Sequence, residues 1–133
     1  ARARGVVMFN RFFEPDIDVE RMAFVNGNPF SEPAELRNVL RSVALCSTAL
    51  PQLDVAVSTG VHDGEAAVKA LLCGANAVQV CSAIHEKGFG VIAGINRFNR
   101  TVAERHGSSR WASSAAGWIT ATPKATCTSA CSI

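Results

Sequence analysis

The sequence lacks the long apolar runs and the clusters of positive charge that mark several large classes of protein. None of its apolar stretches approaches the roughly 20 residues that a membrane-spanning helix requires. No apolar segment follows the basic start Ala1-Arg2-Ala3-Arg4, as a secretory signal would need. The 13 lysines and arginines, set against 11 acidic residues, form no continuous run. We therefore expect a cytoplasmic protein that neither spans a membrane nor binds nucleic acid.

The cysteines form no recognisable framework either. They are odd in number and irregular in spacing: Cys46, Cys73, Cys81, Cys127 and Cys131. The first three lie in apolar patterns, where cysteine behaves as a small buried hydrophobe. Cys127 and Cys131 have a C-x₃-C spacing, but no histidine or second cysteine pair completes a zinc site. We expect neither a disulfide framework nor a bound metal.

The composition, 48% hydrophobic and 18% charged, is that of one packed domain. Short apolar runs at residues 5–10, 53–57 and 76–80 predict buried strands, and helical periodicity occurs after each of them. The order β, α, β, α, β, α indicates a parallel sheet with helical crossovers. The sequence therefore predicts an α/β fold, either a doubly wound sheet or part of a (β/α)₈ barrel.

Three longer helices are predicted from apolar residues at helical spacing. The first begins at Ser31, which can cap it, and ends at Pro51. Asp63 can cap the second and Gly74 stops it, and the last follows Gly88. The predicted buried faces are Leu36, Val39, Leu40, Val43 and Ala44 in the first helix, Val68, Leu71 and Leu72 in the second, and Val91, Ile95, Phe98 and Val102 in the last.

The segment between the first strand and the first helix is polar and contains prolines, which predicts a loop. Within this loop Asn26-Gly27 signals a tight turn or a hairpin.

Two turns rich in small and hydroxyl residues follow successive predicted strands. They are Ser58-Thr59-Gly60 and Cys81-Ser82. Backbone N–H groups at such turns can bind an anion, and a helix N-terminus adds positive potential. In (β/α)₈ barrels the loops after the seventh and eighth strands, with a short extra helix, often hold a phosphate. Residues 83–87 suit that helix. The alternative is that these are ordinary turns that need small residues.

Other polar residues have both a structural and a functional interpretation. Asn10 ends the first strand, where a barrel side chain faces the active site, although asparagine is also a common turn former. His62, His85 and His106 are scattered, and we expect surface or loop positions for them. His62 is the most interesting of the three because it lies beside a predicted phosphate turn.

Three strings in the chain resemble the dihydroorotate dehydrogenase family. GANAVQVCSAIHEKG is similar to its last strand and phosphate helix, where the family typically has GA-x-x-VQ-(V/I)-G-T-A. VSTGVHDGEAAVKALLCGA is similar to the preceding unit, and GVVMFNRF to the strand whose terminal asparagine contacts the pyrimidine. The resemblance covers residues 5–106, and the AVQVCSA region is its most specific part.

The resemblance implies the last three β/α units of an FMN-binding (β/α)₈ TIM barrel, with the three strands as the sixth, seventh and eighth. Such enzymes oxidise dihydroorotate to orotate in pyrimidine biosynthesis, passing hydride to the flavin N5 while a base removes a proton. The implied partner is thus a small, dihydroorotate-like substrate. The family's catalytic base and flavin-contacting lysine lie upstream, so we expect no catalytic residue in this chain. The electron acceptor and the oligomeric state of a full-length protein stay open.

The resemblance also implies roles for particular residues. Asn10 would bind the substrate, and the FMN phosphate would be held by Ser58, Thr59, Gly60, Cys81 and Ser82. Two positions depart from the family pattern, because Cys81 replaces a glycine and Arg11 replaces a serine or threonine. Two alternatives remain: part of another phosphate-binding barrel that uses a phosphorylated substrate directly, and a non-enzymatic α/β binding module.

The composition changes after His106. Residues 107–133 contain no acidic residue, are rich in serine, alanine and threonine, and include both tryptophans, Trp111 and Trp118. We therefore divide the chain into a barrel-like region, residues 1–106, and an atypical tail, residues 107–133. The tail is expected to be disordered or the product of a shifted reading frame. Codons for residues 108–113 exist that encode Phe-Glu-Ser-Leu-Gly-Glu once a preceding base is restored.

Overall fold

The computed structural model of the chain describes residues 3–11 and 15–106. The predicted boundary at residue 107, the tail beyond it, Cys127 and Cys131 lie outside these residues. In chain order the elements are β1 (Gly5–Met8), β2 (Pro15–Asp18), β3 (Ala23–Asn26), a 3₁₀ turn (Pro33–Glu35), α1 (Leu36–Ala49), β4 (Asp54–Val57), α2 (Gly64–Leu72), β5 (Ala77–Val78), α3 (Ser82–Lys87) and α4 (Gly90–Arg105).

The fold is α/β, with a three-stranded parallel sheet in the order β1-β4-β5. The predicted strands are therefore parallel neighbours, as expected for strands joined by helical crossovers. β5 is shorter than the predicted residues 76–80, although hydrogen bonds to β4 continue on both sides of it. The Asn76 side chain accepts the Val55 N–H at 3.0 Å, and Gln79 N–H donates to the Val57 carbonyl at 2.7 Å.

The core lies between one face of the sheet and helices α1 and α2. Val55 and Val57 of β4 are buried there, and Val43 of α1 packs against the same cluster. Each buried valine contributes roughly 1.5–3 kcal/mol through removal of its side chain from water. The sheet therefore receives most of its stabilisation from its helix-covered face.

The opposite face of the sheet is open in the described part of the chain. The alternate residues point there: Val7 is 51% exposed, while Ala56 and Ala77 are half-buried. A shallow apolar depression of about 260 Å³ lies along the sheet, with Gly5 and Asp54 among its lining residues. Parallel sheets are normally covered on both faces, so this open apolar surface is unusual.

The segment predicted as a loop contains an antiparallel hairpin, β2–β3, in which Ile17 pairs with Phe24. Asn26-Gly27 does not form its turn, because Asn26 is the last residue of β3. The reversal occurs at residues 19–22 instead. There the Asp18 carboxylate accepts the N–H groups of Glu20 and Arg21, each at 3.0 Å, and this local bonding outweighs the Asn-Gly signal.

The helices confirm some of the predicted ends and correct others. Asp63 caps α2 by accepting the Ala66 N–H at 2.8 Å, and Gly74 follows α2 with a positive φ of 102°. Ser31 does not cap the first helix. Glu32 instead caps the 3₁₀ turn that precedes α1, and its N–H donates to the Glu35 carboxylate at 2.7 Å.

Two of the predicted buried faces are confirmed only in part: Val68 of α2 and Ile95 of α4 are buried as expected, while other predicted residues are not. In α2 the buried residues include Ala66, Ala67 and Ala70, whereas Leu72 is 49% exposed. The small alanines form the side of α2 that packs closely against its neighbours, and Leu72 lies on the exposed side. In α4, Phe98 is 43% exposed and Asn99 is buried in its place. No helix of the described residues is long and apolar enough to cross a membrane.

Candidate functional site

The three parallel strands end at one edge of the sheet, which brings the predicted site residues together. The turn at Ser58-Thr59-Gly60 follows β4, Cys81-Ser82 follows β5, and Asn10 lies two residues beyond β1. This carboxyl edge is where open α/β sheets and barrels bind ligands. The two turns and Asn10 therefore lie at the same edge of the sheet, and a binding role for them stays a prediction.

The β4 turn is fixed on both of its sides. Thr59 and Gly60 have positive φ values of 76° and 78°. On one side, Thr59 Oγ1 donates to the Phe9 carbonyl at 2.9 Å, which ties the turn to the end of β1. On the other side, a Cβ added to Gly60 would lie 2.5 Å from the Leu36 nitrogen. Glycine is thus required by the close approach of α1 as well as by the backbone conformation.

The β5 turn meets the β4 turn through the hydroxyl of Ser31. Gly60 N–H donates to Ser31 Oγ at 3.2 Å, and Ser31 Oγ lies 2.9 Å from Ser82 Oγ. Ser31 N–H also donates to Ser82 Oγ at 2.9 Å. One buried serine, from the loop before α1, therefore links the two predicted phosphate turns.

These bonds define which donors of the turns remain available. The Gly60 N–H and the Ser82 hydroxyl are engaged by Ser31, so they face the protein. In residues 3–11 and 15–106, the N–H groups of Thr59 and Cys81 have no hydrogen-bond acceptor. Cys81 is exposed, in contrast to the buried position expected from its apolar surroundings. Binding of a phosphate by these residues stays a prediction.

His62 is part of the same buried cluster. It was expected on the surface or in a loop; it does lie in a loop, but only 4% of it is exposed. Its Nε2 lies 2.8 Å from the Ser31 carbonyl oxygen and 3.4 Å from Ser31 Oγ. Its Nδ1 faces the Glu86 carboxylate at 3.5 Å. The hydrogen bond to the Ser31 carbonyl and the contact with the Glu86 carboxylate explain why this polar ring is buried.

Further contacts attach α3 to the surrounding loops. The ring of His85 stacks on Phe30, with a centroid separation of 4.2 Å and an interplanar angle of 18°. Lys87 Nζ donates to the His62 carbonyl at 3.4 Å. Both contacts join α3 to loops that precede α1 or follow β4. The short helix is therefore held at the carboxyl edge by side chains along its length.

Asn10 and Arg11 have different surroundings at the end of β1. Asn10 is exposed at the carboxyl edge, next to the Phe9 carbonyl that Thr59 binds. The Arg11 guanidinium pairs with the Glu35 carboxylate at 3.1 Å and also donates to the Asn28 carbonyl. Arg11 thus anchors the loop before α1.

The chain was compared with models of protein families and with curated proteins. No family model matches it, and neither does any curated protein. Among the described residues, no group of three or more histidine, cysteine, aspartate or glutamate side chains is placed to hold a metal ion. The functional argument therefore depends on the geometry of the carboxyl edge.

Proposed function

We propose that this chain is part of a (β/α)₈ barrel flavoprotein similar to dihydroorotate dehydrogenase, acting on a dihydroorotate-like substrate. One observation carries the proposal. Gly60 N–H and Ser82 Oγ both bond the same Ser31 hydroxyl, so the turns after β4 and β5 are direct neighbours. Two adjacent turns at the carboxyl edge are what a barrel phosphate site needs.

The open face of the sheet supports the barrel part of the proposal. In a closed barrel the helices cover the outer face, while side chains from the other strands fill the interior. Here α1 and α2 cover one face, and small or apolar residues such as Val7, Ala56 and Ala77 lie on the other. This one-sided arrangement suits the interior wall of a barrel whose remaining strands come from elsewhere in a longer protein.

The residues at the edge also fit a phosphate. The N–H groups of Thr59 and Cys81 are donors without a protein acceptor in the described part of the chain. Ser58 and the first turn of α3 lie beside them. An FMN bound here would supply the hydride acceptor of the reaction. Thr59 and Cys81 would hold its phosphate through N–H donation, and the exposed Asn10 amide would orient the substrate.

The proposal is tested by comparing ligands that contain the phosphate of FMN with a ligand that contains only its ring. We expect millimolar FMN, and inorganic phosphate, to shift the amide NMR signals of Thr59 and Cys81 in the ¹⁵N-labelled 133-residue chain. Riboflavin has the same ring without a phosphate, so it should leave these signals in place. Dihydroorotate oxidation should be absent, because the proposed base is not in this chain. Equal shifts with riboflavin and FMN, or none with any ligand, would contradict a phosphate site at these turns.

A further inference from the structure

The buried contacts at the carboxyl edge join three separate parts of the chain. Ser31 lies before α1, His62 follows β4, and Ser82 begins α3. The Ser31 hydroxyl is within hydrogen-bonding distance of Gly60 N, Ser82 Oγ and His62 Nε2, at 3.2, 2.9 and 3.4 Å. Because buried polar groups lose water as an alternative partner, each member of such a network depends on the others.

His62 holds the backbone of this network in place. Its Nε2 must carry a hydrogen in order to donate to the Ser31 carbonyl at 2.8 Å. The other ring nitrogen lies 3.5 Å from the Glu86 carboxylate of α3. The ring therefore connects the loop after β4, to which it belongs, with the two segments that carry Ser31 and Ser82.

We propose that His62 is a positioning residue that sets the separation of the two turns. By fixing the Ser31 backbone it keeps the Ser31 hydroxyl between Gly60 and Ser82. The spacing of the donors on the outer side of the turns, at Thr59 and Cys81, follows from that contact. The claim about turn separation stands on the hydrogen bonds alone, whereas its effect on a phosphate rests on the proposed function.

The test compares local and global hydrogen exchange in the whole 133-residue chain. In His62→Leu we expect the Gly60 amide to exchange about threefold to tenfold faster, which corresponds to loss of one net hydrogen bond. Amides of buried core residues such as Val43 and Ala70 should change much less. His62→Gln keeps a donor and should stay near the wild type. His106→Leu, at the exposed end of α4, is the matched histidine control.

The double variant His62→Leu/Ser31→Ala shows whether His62 acts through Ser31. If it does, the Gly60 amide in the double variant should exchange no faster than in Ser31→Ala alone. If His62→Leu does not fold, His62→Asn replaces it, since its amide is too short to reach the Ser31 carbonyl. Unchanged Gly60 exchange, or an equal acceleration of Gly60 and the core amides, would overturn the proposal.

Inorganic phosphate is the probe for the functional consequence. If phosphate shifts the Thr59 signal of the wild type, the apparent affinity for phosphate should fall about threefold to tenfold in His62→Leu, as for Gly60 exchange. The affinity should recover in His62→Gln. Equal affinity in all three would overturn the positioning role at the site. If phosphate shifts nothing in the wild type, the proposed function fails, and the exchange of Gly60 still decides whether His62 holds the turns together.

Discussion

The two faces of the parallel sheet differ sharply in how they are covered. On one face, Val55 and Val57 are buried against α1 and α2. On the other, Val7 is half exposed, although it lies in β1 beside Val6 and Met8, which pack against the core. The residues of both faces are apolar or small, so hydropathy alone does not separate them. Both faces of this sheet therefore consist of apolar or small residues, but helices cover only one of them in the described part of the chain.

The largest expected effect on the free energy of unfolding comes from a substitution in the β4 turn, where α1 packs against it. Gly60→Ala places a methyl group 2.5 Å from the Leu36 nitrogen at a φ of +78°. Steric overlap with backbone and an unfavourable φ should together lower the free energy of unfolding by about 3 kcal/mol or more. Gly94→Ala, with no atom within 4 Å of the added Cβ, is the control and should be neutral or slightly stabilising. Urea denaturation followed by circular dichroism measures both, and equal midpoints would contradict the packing of α1 on the turn.

A second pair of variants compares the two faces directly. Val57→Ala removes two fully buried methyl groups and should cost about 2–3 kcal/mol in unfolding free energy. Val7→Ala, in the neighbouring strand but on the open face, should change it by less than about 0.5 kcal/mol. In a longer protein with a closed barrel, Val7→Ala should become nearly as costly as Val57→Ala. A small Val7 effect in both contexts would indicate that the open face is not a barrel interior.

The sequence predicted the elements that depend on local patterns. The parallel strands, the Asp63 cap and the stop at Gly74 all follow from spacing and residue type, and the structure confirms them. The serine before Glu-Pro suggested a helix cap because that local role is common. Its actual partners, Gly60 and Ser82, lie 29 and 51 residues away along the chain.

The burial of His62 and the exposure of Leu72 in α2 were missed for a related reason. Both depend on contacts between elements that are distant in the sequence. His62 is buried because Ser31 and Glu86 provide partners for its ring. Leu72 is exposed because alanines form the close contact of α2. The position of His62 beside a glycine turn indicated that this histidine was of interest, but the sequence did not reveal its partners.

The smallest expected effect on stability is at Asn10, where the functional effect should be separate from it. Asn10 is exposed at the carboxyl edge, so Asn10→Ala in this chain should change the unfolding free energy by less than about 0.5 kcal/mol.

In a full-length enzyme that contains this region, loss of the proposed hydrogen bond of Asn10 should weaken transition-state binding by about 1–3 kcal/mol. The measurements are kcat/KM for dihydroorotate and the dissociation constant for FMN. We expect the first to fall and the second to stay unchanged, because Asn10 lies at the end of β1 and the phosphate turns follow β4 and β5. Equal losses in both would show that Asn10 shapes the edge of the sheet instead of contacting the substrate.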